Sequence, residues 1–285
     1  EIVFRAIPDH DARYAALASG QADLMITDRA SHVKKLEKNP DFTKYPLVWR
    51  GAGIFALNNR KPPLDDIRVR RALALAWDQK KYIRMSFQDI MPYTEHWFGQ
   101  DWECKNLGYP SPDVEEAKRL LADYGKPVEL EYVHTATNRG KEAGIIVQQL
   151  MKQAGIKINP IPSDFPGIMK RLMSKKYDMA SWIIFGAHDM GPVTRAVLHS
   201  KSPRNVSGYA DPGMDKALND LKMSTDPDDR EKRLCRIARK VNADVPFLFI
   251  FGRTYYLFGK NRVKNVTLPV HGEEGLDLSE VWLDQ

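Results

Sequence analysis

Long apolar runs are missing from this sequence, and none approaches the ~20 residues that a membrane-spanning helix requires, so no direct membrane insertion is expected. Cysteine is nearly absent. Cys104 and Cys235 are the only two, too few for a thiolate metal site, and whether they pair is left open by the sequence. Charge of one sign does not dominate either: 43 basic and 37 acidic residues give a net +6, interleaved as in the stretch from Asp228 to Arg233. A basic stripe with stacking aromatics, which nucleic acid would need, is not there, so no nucleic-acid partner is expected. The sequence also lacks a phosphate-cradling Gly-x-x-x-x-Gly-Lys-Ser/Thr, a Gly-x-Ser-x-Gly elbow and a His-Glu-x-x-His. Its seven histidines share no metal-ligand spacing, so neither a metal nor a cofactor is expected. The enzyme reading is therefore poor. No repeat, low-complexity tract or signal peptide is visible, and the chain opens on Glu1-Ile-Val-Phe without a Met.

What is there belongs to a globular protein: 43 % apolar and 28 % charged residues over 285, enough for one large domain or two smaller ones. Residues 53 to 78 are the most informative. Ile54 to Leu57 form a short apolar strand, and Pro62-Pro63 make a stiff corner. Asp65 or Asp66 stands at an N-cap position, ahead of a helix whose Val69, Ala72, Leu73, Ala76 and Trp77 share one face. Asp78 can cap the next helix. Upstream, Glu1–Ile7 reads as extended, followed by a helix ended by Gly20 and a strand over 22–27. Strands over 42–49 and 53–57 are expected to pair across a turn at Gly51 and Gly53.

Downstream, aromatic residues crowd an irregular segment, 80–110, which either lines a pocket or staples a loop to the surface. Pro112 is placed at the first position of a helix ended by Gly125, and strands near 128–134, 156–158 and 177–185 alternate with helices over 140–154 and 165–174. That alternation indicates an α/β lobe with parallel neighbours. Residues 186–211 read as a polar loop directly after a strand, where open α/β sheets place their ligands. Two helices and a fully apolar strand from Pro246 follow, then a tail anchored by Trp282.

The 53–78 stretch resembles the family 5 extracellular solute-binding proteins that serve peptide, nickel and related ABC importers. Phe55, Asn58, Pro62, Pro63, Asp65, Asp66, Arg68, Val69, Arg70, Ala72, Leu73, Ala76 and Asp78 fit that family's line "FN-x-x-x-PP-[FL]-D-D-x-R-VR-x-AL-x-x-A-x-D". The opening matches too, through Phe4, Arg5, Ile7, Pro8, Asp9, Ala12, Arg13, Ala16, Leu17, Ser19, Gly20, Ala22 and Asp23. The resemblance implies an α/β, two-lobed periplasmic-binding-protein fold of type II with lobe one incomplete. Lobe one would take residues 1–58, lobe two 59–250 and a return segment 251–285. It further implies a non-enzymatic monomer in the periplasm, which captures a peptide or peptide-like solute and delivers it to ABC permease subunits of the inner membrane. The family's usual length implies that about 200 further residues, a signal peptide among them, precede Glu1, and that this chain alone binds weakly or not at all.

For the site, the resemblance points to Asp189 with His188 as the partner of a solute amine. His134, with Arg139 and Lys141 near it, would meet a carboxylate. Trp182 and Phe185 are candidates to stack over a ligand, and Tyr209 matches a family pattern in Ser-Gly-Tyr-Ala-Asp-Pro. Nickel or haem on the same scaffold, favoured by a gathering of His134, His188 and His199, is the alternative. A fused ligand-sensing module is another.

Overall fold

A computed structural model describes residues 1–99, 102–267 and 278–284. Its strands are β1 (Leu24–Thr27), β2 (Phe42–Leu57), β3 (Glu129–Thr135), β4 (Lys157–Ser163), β5 (Met179–Phe185), β6 (Phe247–Lys260), β7 (Val263–Lys264) and β8 (Trp282–Leu283). Six of them form one sheet in the order β1-β6-β2-β5-β3-β4, and β7 pairs with β8. The helices are α1 (His10–Ser19), α2 (Ala30–Leu36), α3 (Ile67–Ala76), α4 (Gln79–Phe87), α5 (Val114–Tyr124), α6 (Asn138–Lys152), α7 (Phe165–Met173), α8 (Met190–Leu198), α9 (Pro212–Met223) and α10 (Pro227–Asp244).

The spine is the antiparallel pair β2 and β6, of 16 and 14 residues. Along one end, residues 42–48 of β2 face 254–260 of β6, and β1 joins β6 on its far side. Along the other end, 52–56 of β2 face 247–252 of β6, and β5 pairs antiparallel with 51–57. Beyond β5 lie β3 and β4, both parallel to their neighbours, as the strand–helix alternation predicts. Between the two ends the β2–β6 register shifts, from Val48 to Ala52 and again from Gly53 to Ile54. The expected hairpin at Gly51 is therefore a bulge in one continuous strand. Gly51 has φ +106°, and a Cβ there would stand 2.2 Å from the Ile184 carbonyl oxygen, so only glycine keeps β5 at this distance.

Side chains alternate across the spine with period two. Phe55, Leu57, Leu248 and Ile250 pack with Trp77, Tyr132, Val147 and Leu150 beneath α3 to α6. Ile54, Phe247 and Phe249 pack on the other face with Trp97, Phe98, Leu218 and Ile237 under α8 to α10. A smaller cluster of Leu17, Met25, Val33, Leu36 and Phe258 serves the β1 end.

Local sequence explains most boundaries. Asp9, Asp66, Asp78, Asp164, Asp211 and Asp226 each accept a hydrogen bond from a first-turn amide. Three expectations are corrected. Residues 1–7 form no strand and are exposed, apart from a half-buried Ile7. Pro112 lies outside α5, because Asp113 takes the cap by accepting from Glu116 N at 2.9 Å. The loop read over 186–211 contains the nine-residue helix α8.

The aromatic segment divides. Trp97, Phe98 and Tyr109 are core, while Tyr82 and Phe87 reach a cavity. Cys104 and Cys235 form a disulfide, tying this segment to α10.

Candidate functional site

The middle of β6, the end of β3, the start of α6, β5 and α4 surround a cavity of about 290 Å³. Its walls are largely rings: Tyr82, Phe87, Tyr132, Trp182, Phe251 and Tyr255 among them. Three charged side chains reach it, Arg139, Arg253 and Asp28. Few polar groups set among apolar walls is the usual composition of a small-molecule site.

The α6 corner is fixed by backbone packing. Thr137 caps the helix, its hydroxyl accepting from Gly140 N at 3.1 Å. A Cβ on Gly140 would stand 1.9 Å from the Thr135 carbonyl oxygen, so glycine lets α6 begin directly against the end of β3. That approach sets His134 and Arg139 side by side on the cavity. His134 is 2 % exposed, and its Nδ1 lies 2.9 Å from the Thr135 carbonyl oxygen. A carbonyl only accepts, so Nδ1 carries the proton and Nε2 is the acceptor of the neutral ring.

Arg139 reaches to the far end of the sheet. Its guanidinium donates to the Asp28 carboxylate and, at 3.4 Å, to the Asp28 carbonyl, and it lies 4.9 Å over the Phe87 ring. Asp28 follows β1 directly. His10 Nδ1 stands 3.8 Å from the same carboxylate, and burial lowers the His10 pKa below its ordinary value, which keeps the ring neutral near pH 7.

On β5, Trp182 stacks with Phe165 at 6.2 Å. Phe165 and Phe185 are 61 % and 53 % exposed. Arg253 lies 5.1 Å over the Phe185 ring. Exposed rings beside a cavity leave apolar area available to a ligand.

Of the residues singled out in the sequence, the cavity gathers His134, Arg139, Trp182 and Phe185. The other three lie elsewhere. Asp189 caps α8, accepting from Gly191 N at 2.8 Å, and holds Arg230 Nη2 with both oxygens at 2.7 Å. His188 precedes it on the surface, its carbonyl accepting from Arg50. Tyr209 is buried and donates to Asp244, with burial and that hydrogen bond pushing its pKa well up. It lines a separate polar recess with Arg60, Asp65, Arg70, Asp211 and Asp244.

The gathering of histidines that nickel or haem would favour is not found. His199 stands 3.7 Å from Asp215, away from His134. Among the described residues no three His, Cys, Asp or Glu are placed to hold a metal. His271 lies outside the described residues.

Sequence reasoning missed Asp28 and Arg253. A signal existed for Arg253, the one charge inside the apolar run from Val245 to Phe258. None existed for Asp28, whose partner is 111 residues away.

An aromatic-walled cavity on an α/β scaffold, reached by a few fixed charges, has the composition of a small-molecule site. Residues 1–203 match the bacterial extracellular solute-binding proteins, family 5 Middle, and the chain belongs to that family. It is 26 % identical over 260 residues to di/tripeptide-binding protein 2 of Pseudomonas aeruginosa strain UCBPP-PA14, covering 84 % of this chain and 47 % of that protein. With heme-binding protein A of Haemophilus influenzae it shares 25 % over 203 residues, 67 % of this chain and 36 % of that one. The fold is that of the periplasmic binding protein DppA from Helicobacter pylori, solved with the peptide STSA. That match has a TM-score of 0.85 at 21 % identity, over 99 % of this chain and 56 % of that one. The chain thus spans about half the length, or less, of these relatives. No helix among the described residues is long and apolar enough to cross a membrane.

Proposed function

We propose that this chain belongs to the solute-capturing component of an ABC importer, acting in the periplasm on a short peptide or peptide-like solute. The observation that carries this reading is the cavity itself: aromatic walls for apolar side chains, and the Arg139 guanidinium at the α6 corner for a carboxylate. Capture is binding without turnover, and the loaded protein, a monomer, passes its cargo to the permease subunits of the inner membrane.

In this reading residues 1–58 and 251–285 serve lobe one and 59–250 serve lobe two. The register shift between Val48 and Ala52 supports a hinge there, because the ladder is interrupted where β2 and β6 pass from one set of neighbours to the other.

A thermal-shift titration of the full-length protein tests it, with a di- to pentapeptide pool, nickel and haem applied separately. A ligand that binds the folded state raises Tm by mass action. A rise with peptides alone is the expected result. A rise with nickel or haem alone would replace the solute and leave the fold standing.

A further inference from the structure

Arg139 and Asp28 both line the cavity, and both are already engaged, with each other. Their side chains are only 24 % and 20 % exposed, so the pair is far less screened than a surface ion pair. Phe87 covers the face of the guanidinium and holds its plane. Asp28 is the only carboxylate lining the cavity among the described residues. A second cation, Arg29, follows it directly in the chain.

We propose that Asp28 is a built-in competitor for the solute, a reading that rests on the proposed solute capture. In the empty site it occupies the guanidinium that a solute carboxylate takes over on binding. The exchange replaces one carboxylate on Arg139 by another, so by itself it contributes little to affinity. Net binding must then come from apolar side chains laid on Trp182, Phe165 and Phe185. A solute succeeds only with both features: a carboxylate to displace Asp28, and a bulky apolar group beside it. Neutral apolar solutes leave the pair closed. Small carboxylates open it without gain. Asp28 thereby determines specificity without contributing a favourable contact. Because Asp28 directly follows β1 and Arg139 lies in the first turn of α6, the same exchange unties the β1 end of the sheet from the β3 end.

Isothermal titration of the full-length protein with L-alanyl-L-phenylalanine and with its C-terminal amide tests this, in wild type, Asp28→Asn and Arg139→Gln. Asp28→Asn is expected to bind the acid at least tenfold more tightly while its amide affinity moves less than twofold. Arg139→Gln is expected to abolish the preference for acid over amide. Should Asp28→Asn not fold by circular dichroism, Asp28→Ser must show the same direction. Unchanged or weaker binding of the acid in these Asp28 variants would overturn the competitor and leave solute capture standing. If neither probe binds wild type or any variant, the peptide-capture reading fails and the competitor fails with it.

Discussion

Two hollows among the described residues are of similar size, about 290 Å³ and about 350 Å³, and arginines line both. The difference lies in what the arginine holds. Arg70 gives Nη1 to the Leu64 and Asp65 carbonyls at 2.9 and 3.2 Å, and Nε and Nη2 to the Asp244 carbonyl at 3.1 Å. These acceptors are backbone groups that cannot leave without undoing the α3 corner or the end of α10. Arg139 holds a side-chain carboxylate from another part of the chain, which in the proposed reading a ligand replaces. Volume does not separate the two hollows; the kind of acceptor that each arginine holds does.

Four substitutions can break or sharpen that contrast. Arg70→Met should cost the most stability, about 3 kcal/mol, because several buried carbonyls lose their donor together. Solute affinity should hardly change, and a chemical denaturation curve that did not move would remove Arg70's structural assignment. Arg139→Gln should act mainly on binding, weakening a carboxylate solute roughly tenfold, about 1.4 kcal/mol, with a stability loss of about 2 kcal/mol, smaller than at Arg70. Unaltered binding there would take the α6 corner out of the site.

Tyr209→Phe should lower stability by about 1 kcal/mol through loss of the bond to Asp244. Since the folded pKa of Tyr209 is raised, its contribution is complete below the unfolded value near 10 and declines as pH rises above it. The Phe variant should therefore unfold less steeply with alkali. A binding defect at unchanged Tm would return Tyr209 to the solute site.

The smallest effect is expected at Asp211. Burial pushes its carboxyl up, but the Met214 N–H and Lys240 outweigh that and leave it below the ordinary value. Its contribution is present above the unfolded value, near pH 4, and is lost as pH falls through the lower folded one. Asp211→Asn should flatten the stability profile below about pH 4. An unchanged acid limb would contradict the shift.

What the sequence disclosed depended on range. Helix faces and caps are local, so α3 and α6 could be read, as could the strand carrying Trp182, whereas His134 and Arg139 were pointed to by the family resemblance. The Asp28–Arg139 pair spans 111 residues and leaves no periodic trace. Gly51 misled because a bulge and a turn ask for the same residue. An acidic residue after a strand suits a ligand and suits a helix cap, and here Asp189 caps α8 and binds Arg230. Tyr209 sits in a motif whose chemistry proved to be a hydrogen bond to Asp244.

The disulfide closes a covalent ring over a separation of 131 residues, from the segment after Trp102 to the middle of α10. Within that ring lie β3, α6, β4 and β5, hence His134, Arg139, Trp182 and Phe185. A protease that severs one exposed bond there, for instance in the turn after α7, leaves the fragments joined. They should run as one band on a gel without reductant and as two with it. A single cut between β3 and β5 would therefore not by itself release a piece of the protein.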